Sequence, residues 1–135
     1  MTMQHDVGGT WYNQHGSRVT LRASDGALSG FFASSVGLRK RQEAKVVGFY
    51  AGNLISIVAD FAPEGSLTAW VGHVTGDGDA STMELQWQMT VALPGKENQS
   101  ELWRGIWTGS DVFRRQPPTE AAPRYIASHS FPDWP

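Results

Sequence analysis

Residues 9–17 read Gly9-Thr10-Trp11-Tyr12-Asn13-Gln14-His15-Gly16-Ser17, and this segment indicates the architecture more directly than any other part of the chain. In a strand, alternate side chains share a face, so Trp11, Asn13, His15 and Ser17 would lie together. A buried strand face is normally aliphatic, whereas this one combines a large aromatic ring with three hydrogen-bonding side chains. Burial without partners is costly for such groups, so other protein groups or a polar ligand must satisfy them.

Three later predicted strands repeat this combination of bulky and polar or small side chains, and a fourth has an apolar face. The four faces are Leu28, Gly30, Phe32 and Ser34; Ser66, Thr68, Trp70, Gly72 and Val74; Leu85, Trp87, Met89 and Val91; and Trp103, Gly105, Trp107, Gly109, Asp111 and Phe113. A carboxylate between two aromatic residues is hard to explain as a solvated surface group. Hydroxyls, an amide and a carboxylate beside tryptophans are the composition expected of a small-molecule pocket.

The composition predicts a single β-rich domain. A chain of 135 residues is long enough for a real core, and 15 glycines with only 18% charged residues are typical of a turn-rich globular protein. The net charge of −2 argues against nucleic-acid binding, because the sequence has no basic stripe to neutralise phosphates. The one basic cluster, Arg39-Lys40-Arg41, is interpreted as a solvated loop. The absence of cysteine excludes disulfides and thiolate metal sites. No apolar run reaches membrane-spanning length, and we expect no signal peptide before the fold.

Turn signals divide the chain into about eight short strands with no convincing helix pattern. Residues 24–26 (Ser-Asp-Gly) predict a hairpin turn, and similar signals occur at residues 51–53, 63–65 and 76–79. Consecutive hairpins close naturally into an antiparallel up-and-down barrel, which removes exposed sheet edges. We therefore expect an all-β, eight-stranded barrel over residues 8–115, with room inside for one small ligand.

Residues 116–135 form a proline-rich tail that cannot continue a sheet. The expected state is a flexible segment. A second hypothesis is that the tail docks on the barrel, at the mouth of the ligand pocket, because Phe131 and Trp134 are aromatic residues that a plain linker does not need.

Several motifs in register resemble the avidin family, the biotin-binding barrels that include streptavidin. The resemblance runs from Gly9 to Phe113. Its motifs are the opening Gly-Thr-Trp-Tyr-Asn-Gln, Asp25-Gly26-Ala27-Leu28-Ser29-Gly30, Ser35-Val36-Gly37, Trp70, Gln86-Trp87 and Gly109-Ser110-Asp111-Val112-Phe113.

The resemblance implies roles for the polar residues. Asn13 and Ser17 would donate to the ureido oxygen of biotin, while Asp111 and Ser34 would accept from its two N–H groups. Thr68 would lie against the thioether sulfur. Ser66 would reach the valerate carboxylate, and the backbone around Gly37 and Leu38 would help to bind it. These two residues lie in the loop after the third strand, which would close as a lid. Other residues implied in the pocket are Val36 in that loop, Phe61, Trp70 and Trp87 as an aromatic box, Met89 on the apolar face, and Trp103 donated to a neighbouring subunit's site.

Three positions depart from the family pattern. Phe32 occupies the place of a common tyrosine, which removes one donor to the ureido oxygen, and Phe61 replaces a tryptophan. His15 replaces a leucine. Either His15 is satisfied locally at the strand end, or its protonation modulates the polar end of the pocket.

The resemblance predicts a non-enzymatic protein that binds biotin with high affinity and sequesters it, without a metal or cofactor. It also predicts self-association, with a homotetramer favoured over a homodimer, an interface that includes Ile106, Thr108 and Ser110, and a secreted or periplasmic location. One alternative is a lipocalin-like barrel for another small apolar ligand. A third reading, an enzyme, lacks support because the four histidines carry no nucleophile or metal-ligand motif.

Overall fold

The computed structural model describes residues 5–34, 43–95 and 102–119, which form a closed antiparallel barrel of eight strands in chain order. This confirms the predicted fold class. The strands are β1 (Gly9–Tyr12), β2 (Arg18–Ser24), β3 (Ala27–Ala33), β4 (Glu43–Ala51), β5 (Leu54–Phe61), β6 (Ser66–Thr75), β7 (Thr82–Val91) and β8 (Ile106–Arg114). Three short 3-10 helices lie at Ala62–Glu64, Gly78–Ala80 and Leu102–Gly105. None of the helices in the described ranges is long and apolar enough to cross a membrane.

Strict alternation of side chains separates the barrel interior from its outer surface. In β5, Ile55, Ile57, Ala59 and Phe61 are buried while the residues between them are exposed. The turn between β2 and β3 shows how local chemistry sets this register. Asp25 and Gly26 have φ values of 50° and 83°, the left-handed pair that a two-residue hairpin requires.

The first and last strands are shorter than the sequence predicted. The predicted strand through Ser17 is wrong because β1 ends at Tyr12, and a turn follows in which Gly16 has a φ of 83°. In this turn Gly16 N donates to Asn13 O (3.1 Å) and Asn13 N donates to Ser17 O (2.9 Å). The predicted start of the last strand at residue 103 is also wrong, because residues 102–105 form a 3-10 helix before β8.

Arg115 closes the end of the barrel at which β1 begins and β8 ends. Its guanidinium carbon lies 3.6 Å from the ring centroid of the fully buried Trp11. The same guanidinium donates to Gly8 O (2.9 Å) and to Asp6 O (2.8 Å), so it joins the segment before β1 to the end of β8. Burial lowers the pKa of Arg115, and the carboxylates of Asp6 and Asp79 oppose that shift. A planar cation with several donors is suited to both the ring and the carbonyl oxygens.

The described part of the tail stays close to the barrel. Gln116 Nε2 donates to Asp79 O (3.2 Å), and residues 117–119 follow it without regular structure. Residues 120–135 lie outside the described residues, and so do residues 35–42. The predicted tail, its boundary at residue 116 and its docking therefore stay predictions.

We expect Arg115→Ala to lower the free energy of unfolding by about 1–3 kcal/mol, because it removes the cation–π contact and two hydrogen bonds to carbonyl oxygens. Arg115→Lys keeps the positive charge but lacks the planar guanidinium group with its several N–H donors. It should therefore be more stable than Arg115→Ala and less stable than the wild type. Denaturant unfolding measures both variants. Arg114→Ala, at the exposed neighbouring position, is the matched control and should unfold like the wild type. Equal stability of the two alanine variants would contradict the closing role of Arg115.

Candidate functional site

The interior of β6 carries a row of polar and aromatic side chains. Ser66, Thr68 and Trp70 all face inward and are buried. The register places Thr68 opposite Met89 and Trp70 opposite Trp87 on β7. This arrangement follows from the two-residue period of the strand, and it puts two hydroxyl groups beside an apolar wall.

Asp111 is the buried carboxylate of the site, with 1% of its surface exposed. Trp70 Nε1 donates to Asp111 Oδ2 (3.0 Å), and Gln14 Nε2 donates to Asp111 Oδ1 (3.1 Å). These two donors come from β6 and from the turn after β1. A buried carboxylate needs such donors because desolvation disfavours its charge.

The turn after β1 orients the amide of Asn13. Its Oδ1 accepts from His15 N (3.0 Å) and from Ser17 N (2.9 Å), which occupies the acceptor side of the amide. Its Nδ2 is buried and has no hydrogen-bond partner among the described residues. The side chain therefore offers a donor inside the protein, and an acceptor on a ligand would satisfy it.

Two hydroxyl oxygens on β6 share this property. Ser66 Oγ and Thr68 Oγ1 are buried and lack partners within the described part of the chain. An unsatisfied buried hydroxyl or amide costs about 1–3 kcal/mol, and folded proteins contain few of them. Three such groups lining one interior indicate a binding site whose hydrogen bonds are completed by a ligand.

Aromatic rings form the apolar part of the interior. Phe32 and Trp70 lie with ring centroids 5.0 Å apart, and Phe32 meets Phe61 edge-on at 5.9 Å. Trp70 also packs edge-on against Phe113 at 6.5 Å. All four rings are buried, so they provide a dry wall next to the polar groups.

Gly109 allows the indole of Trp87 to lie directly on β8. A Cβ atom at this glycine would come within 2.6 Å of Trp87 Cε2, which is closer than van der Waals contact permits. The glycine in the sequence motif therefore has a packing reason, because it creates the space for one aromatic wall.

The structure places the predicted site residues as follows. All of those with described side chains are buried except His15, which is half-buried in the turn after β1; the buried ones are Asn13, Ser17, Phe32, Ser34, Phe61, Ser66, Thr68, Trp70, Trp87, Met89 and Asp111. Val36, Gly37 and Leu38 lie outside the described residues, and of Trp103 only the backbone is described. The roles assigned to all of them stay predictions.

Two features of the site escaped the sequence analysis. Gln14 contacts Asp111, and Trp70 acts as a hydrogen-bond donor as well as a wall. Gln14 belongs to the opening motif, but reading residues 9–17 as one strand assigned it to the outer face. Because β1 ends early, the turn brings Gln14 back to β8.

The described residues contain no group of three or more His, Asp or Glu side chains that could hold a metal ion. A closed eight-stranded barrel with a dry, partly polar interior belongs to the class of small-ligand binding barrels. The model of the Avidin family matches residues 1–116, so the chain belongs to the avidin family.

Several solved structures share the fold of this chain. Xenavidin matches with a TM-score of 0.72 and 19% identity, covering 84% of this chain and 100% of xenavidin. The rhizavidin–biotin complex matches with a TM-score of 0.67 and 20% identity, over 88% of this chain and 100% of rhizavidin. Apo short afifavidin matches with a TM-score of 0.65 and 26% identity, over 82% of this chain and 96% of its own.

We expect Gly109→Ala to displace the Trp87 indole and to lower the free energy of unfolding by about 1–3 kcal/mol, the usual cost of overpacking. The emission maximum of tryptophan fluorescence should shift because the ring leaves its position on β8. Gly8→Ala is the control, since its new Cβ meets neighbours only at 3.5 Å or more. Unchanged fluorescence and stability in Gly109→Ala would disprove this packing role.

Proposed function

We propose that this protein binds one biotin per chain, non-covalently and with high affinity, inside the barrel, and that it thereby sequesters the vitamin. The observation that carries the proposal is the set of buried polar atoms that have no partner among the described residues, Asn13 Nδ2, Ser66 Oγ and Thr68 Oγ1, in the same barrel as the buried carboxylate of Asp111. Membership of the avidin family and the fold shared with the rhizavidin–biotin complex support the choice of ligand.

The donors and acceptors of the site match a cyclic urea. Asn13 Nδ2 is available to donate to the ureido oxygen, with Ser17 beside it in the same turn. Asp111 and Ser34 supply acceptors for the ureido N–H groups. Charge-assisted hydrogen bonds in a dry interior are stronger than neutral ones, so the carboxylate favours a ligand with N–H donors.

The remaining part of the site suits a thioether ring and an aliphatic chain. Phe61, Trp70 and Trp87 form its walls, and Thr68 lies in the same row as Ser66, which is assigned to the ligand carboxylate. Phe32 packs against Trp70 and brings no hydroxyl, so the ureido oxygen has one donor fewer than with a tyrosine there. A site already held by hydrogen bonds and close packing loses little entropy when the ligand enters.

Titration with biotin, followed by tryptophan fluorescence and calorimetry, tests the proposal. Saturation at one biotin per chain and slow dissociation are the expected results. The same titration is repeated with desthiobiotin, which keeps the ureido ring, and with a fatty acid as long as biotin. The comparison separates recognition of the urea from binding of an apolar chain. Saturation by the fatty acid without any response to biotin would favour a lipocalin-like barrel instead.

We expect Thr68→Val to affect stability and binding in opposite directions. The substitution keeps the shape and removes a buried hydroxyl that has no partner in the described part of the chain, so the free energy of unfolding of the ligand-free protein should rise by about 1–3 kcal/mol. Biotin affinity should fall by about 0.5–1.5 kcal/mol, or roughly twofold to tenfold. Thr90→Val, on the outer face of β7, is the control and should leave affinity unchanged. A variant that is both less stable and equally tight in binding would refute the assignment of Thr68 to the ligand.

The outer surface of the barrel supports self-association. Seven large apolar residues are exposed on the outer face of the adjacent strands β3 to β6, here called the outer apolar face; they are Phe31, Val47, Phe49, Leu54, Val58, Leu67 and Val71. The register brings Lys45 opposite Asp60 at one end of this face, so its rim carries both charges. An apolar centre with a rim of mixed charge is complementary to a second copy of itself. A homotetramer, with Ile106 and its outward neighbours in a further contact and Trp103 donated to a neighbouring site, is the assembly we propose.

We expect Phe49→Glu and Val71→Glu to reduce the mass of the assembly, because each places a charge within the outer apolar face. Light scattering after size-exclusion chromatography measures the mass. Ser24→Glu, at the exposed end of β2 opposite Ala27, is the control and should elute as the wild type. An unchanged mass for both substitutions on the outer apolar face would exclude that face as the interface.

A further inference from the structure

We propose that Gln14 is a positioning residue that closes the barrel between β1 and β8 and, through the same amide group, holds Asp111 in place for its ligand. The second half of this inference rests on the proposed function. Gln14 touches Asp111 and needs no contact with the ligand, so it acts on binding through that carboxylate.

The junction between β1 and β8 is the incomplete part of the strand ladder. β1 has four residues, whereas β8 has nine, and the two strands pair at a single position, Tyr12 with Arg114. The edge of β8 from Ser110 to Val112 therefore faces the turn after β1 instead of a strand. Backbone groups inside a barrel wall need hydrogen-bond partners, so something other than a strand must supply them.

The side chain of Gln14 supplies these partners. Its Oε1 accepts from Val112 N (3.0 Å), and its Nε2 donates to Ser110 O (3.2 Å). A primary amide has both a donor and an acceptor in one plane, like the peptide group that is missing from this place. Gln14 thus replaces a strand at the point where β1 has ended.

The same nitrogen donates to the residue between these two partners. Gln14 Nε2 lies 3.1 Å from Asp111 Oδ1, and Trp70 Nε1 lies 3.0 Å from Asp111 Oδ2. The carboxylate is therefore held from two sides, by donors on separate elements. Groups fixed in this way before binding lower the ordering cost of the complex. Barrel closure and ligand recognition consequently share one side chain.

The substitution Gln14→Glu makes the contact with Asp111 depend on pH, because the introduced carboxyl group can be protonated or ionised. When the introduced carboxyl group is protonated, its one O–H can donate to Asp111 and its other oxygen can accept from Val112 N. It then lacks only the bond that Gln14 Nε2 donates to Ser110 O. When it is ionised, it faces Asp111 at hydrogen-bond distance, and two carboxylates this close repel each other. The folded variant therefore retains a proton more tightly than the unfolded chain. Its stability is present at acidic pH and is lost as the pH rises.

The experiment measures thermal unfolding of ligand-free Gln14→Glu, wild type and Gln86→Glu from pH 5 to pH 8. Gln86→Glu adds the same charge on the exposed face of β7, opposite Ser110 in the register, and is the matched control. We expect the unfolding temperature of Gln14→Glu to fall by about 5 °C or more relative to the control as the pH rises. The other charged or titratable neighbours of position 14 are His15, next to it in the chain, and Arg114 on β8, which lines the same cleft. Both are present in every variant, so comparison with the wild-type profile accounts for them.

A second readout tests the link to the ligand. Biotin dissociation from Gln14→Glu should be about tenfold faster at pH 8 than at pH 5, relative to Gln86→Glu. The double variant Gln14→Glu with Asp111→Asn should lose the pH step in unfolding, because one of the two carboxylates is gone. Parallel profiles of Gln14→Glu and Gln86→Glu would overturn the proposal, and so would failure of Gln14→Glu to fold at acidic pH.

The two readouts distinguish failure of this inference from failure of the proposed function. If the wild type does not bind biotin, the proposed function is wrong, while the pH step in unfolding still tests the contact between Gln14 and Asp111. If the wild type binds and unfolding shows the step but dissociation does not, Gln14 closes the barrel without positioning Asp111. That result would overturn the inference as stated.

Discussion

Closure of the strand ladder is the constraint on which the rest of this structure depends. A sheet of eight strands buries its interior only if the first and last strands meet, yet β1 is four residues long and pairs with β8 at one position. Side chains complete the closure at both ends. Arg115 joins the end of β8 to the segment before β1, and Gln14 bonds to the backbone of β8 beyond the end of β1. The barrel can therefore be closed while the turn after β1 remains free to present polar groups inward.

The pocket is polar at a cost to the free protein. Asn13, Ser66 and Thr68 keep buried polar atoms without partners in the described residues, although an aliphatic interior of the same shape would be more stable. The surrounding aromatic rings and the eight-stranded ladder offset this cost. The same exclusion of water that makes these groups expensive strengthens any hydrogen bond that they form with a ligand.

Much of the fold and of the site could be predicted from local patterns. Alternation along β5 and β6 identifies their inward faces, and the pair Asp25-Gly26 requires a tight hairpin turn. The ends of β1 and β8 could not be predicted in this way. Gly16, in the left-handed conformation, is part of the turn that follows Tyr12. The alternation of residue types in residues 13–17 therefore does not reflect a strand. Strand ends depend on where hydrogen-bond partners stop, which is a property of the neighbouring strand.

The amino-acid sequence by itself determined the number of strands, their inward faces, the turns and the types of polar group in the interior, because these follow from a two-residue period and from local backbone preferences. Only the tertiary structure decided which groups meet. Gln14 and Asp111 are nearly a hundred positions apart, and their contact arises when β1 and β8 close the barrel. The bonds of Asn13 Oδ1 lie within its own turn and are local, whereas the burial of its Nδ2 away from water depends on the barrel around it. Contacts between residues that are distant in the sequence depend on how the strands pair in the closed barrel. Local periodicity cannot predict them, because it reflects only the conformation of each strand.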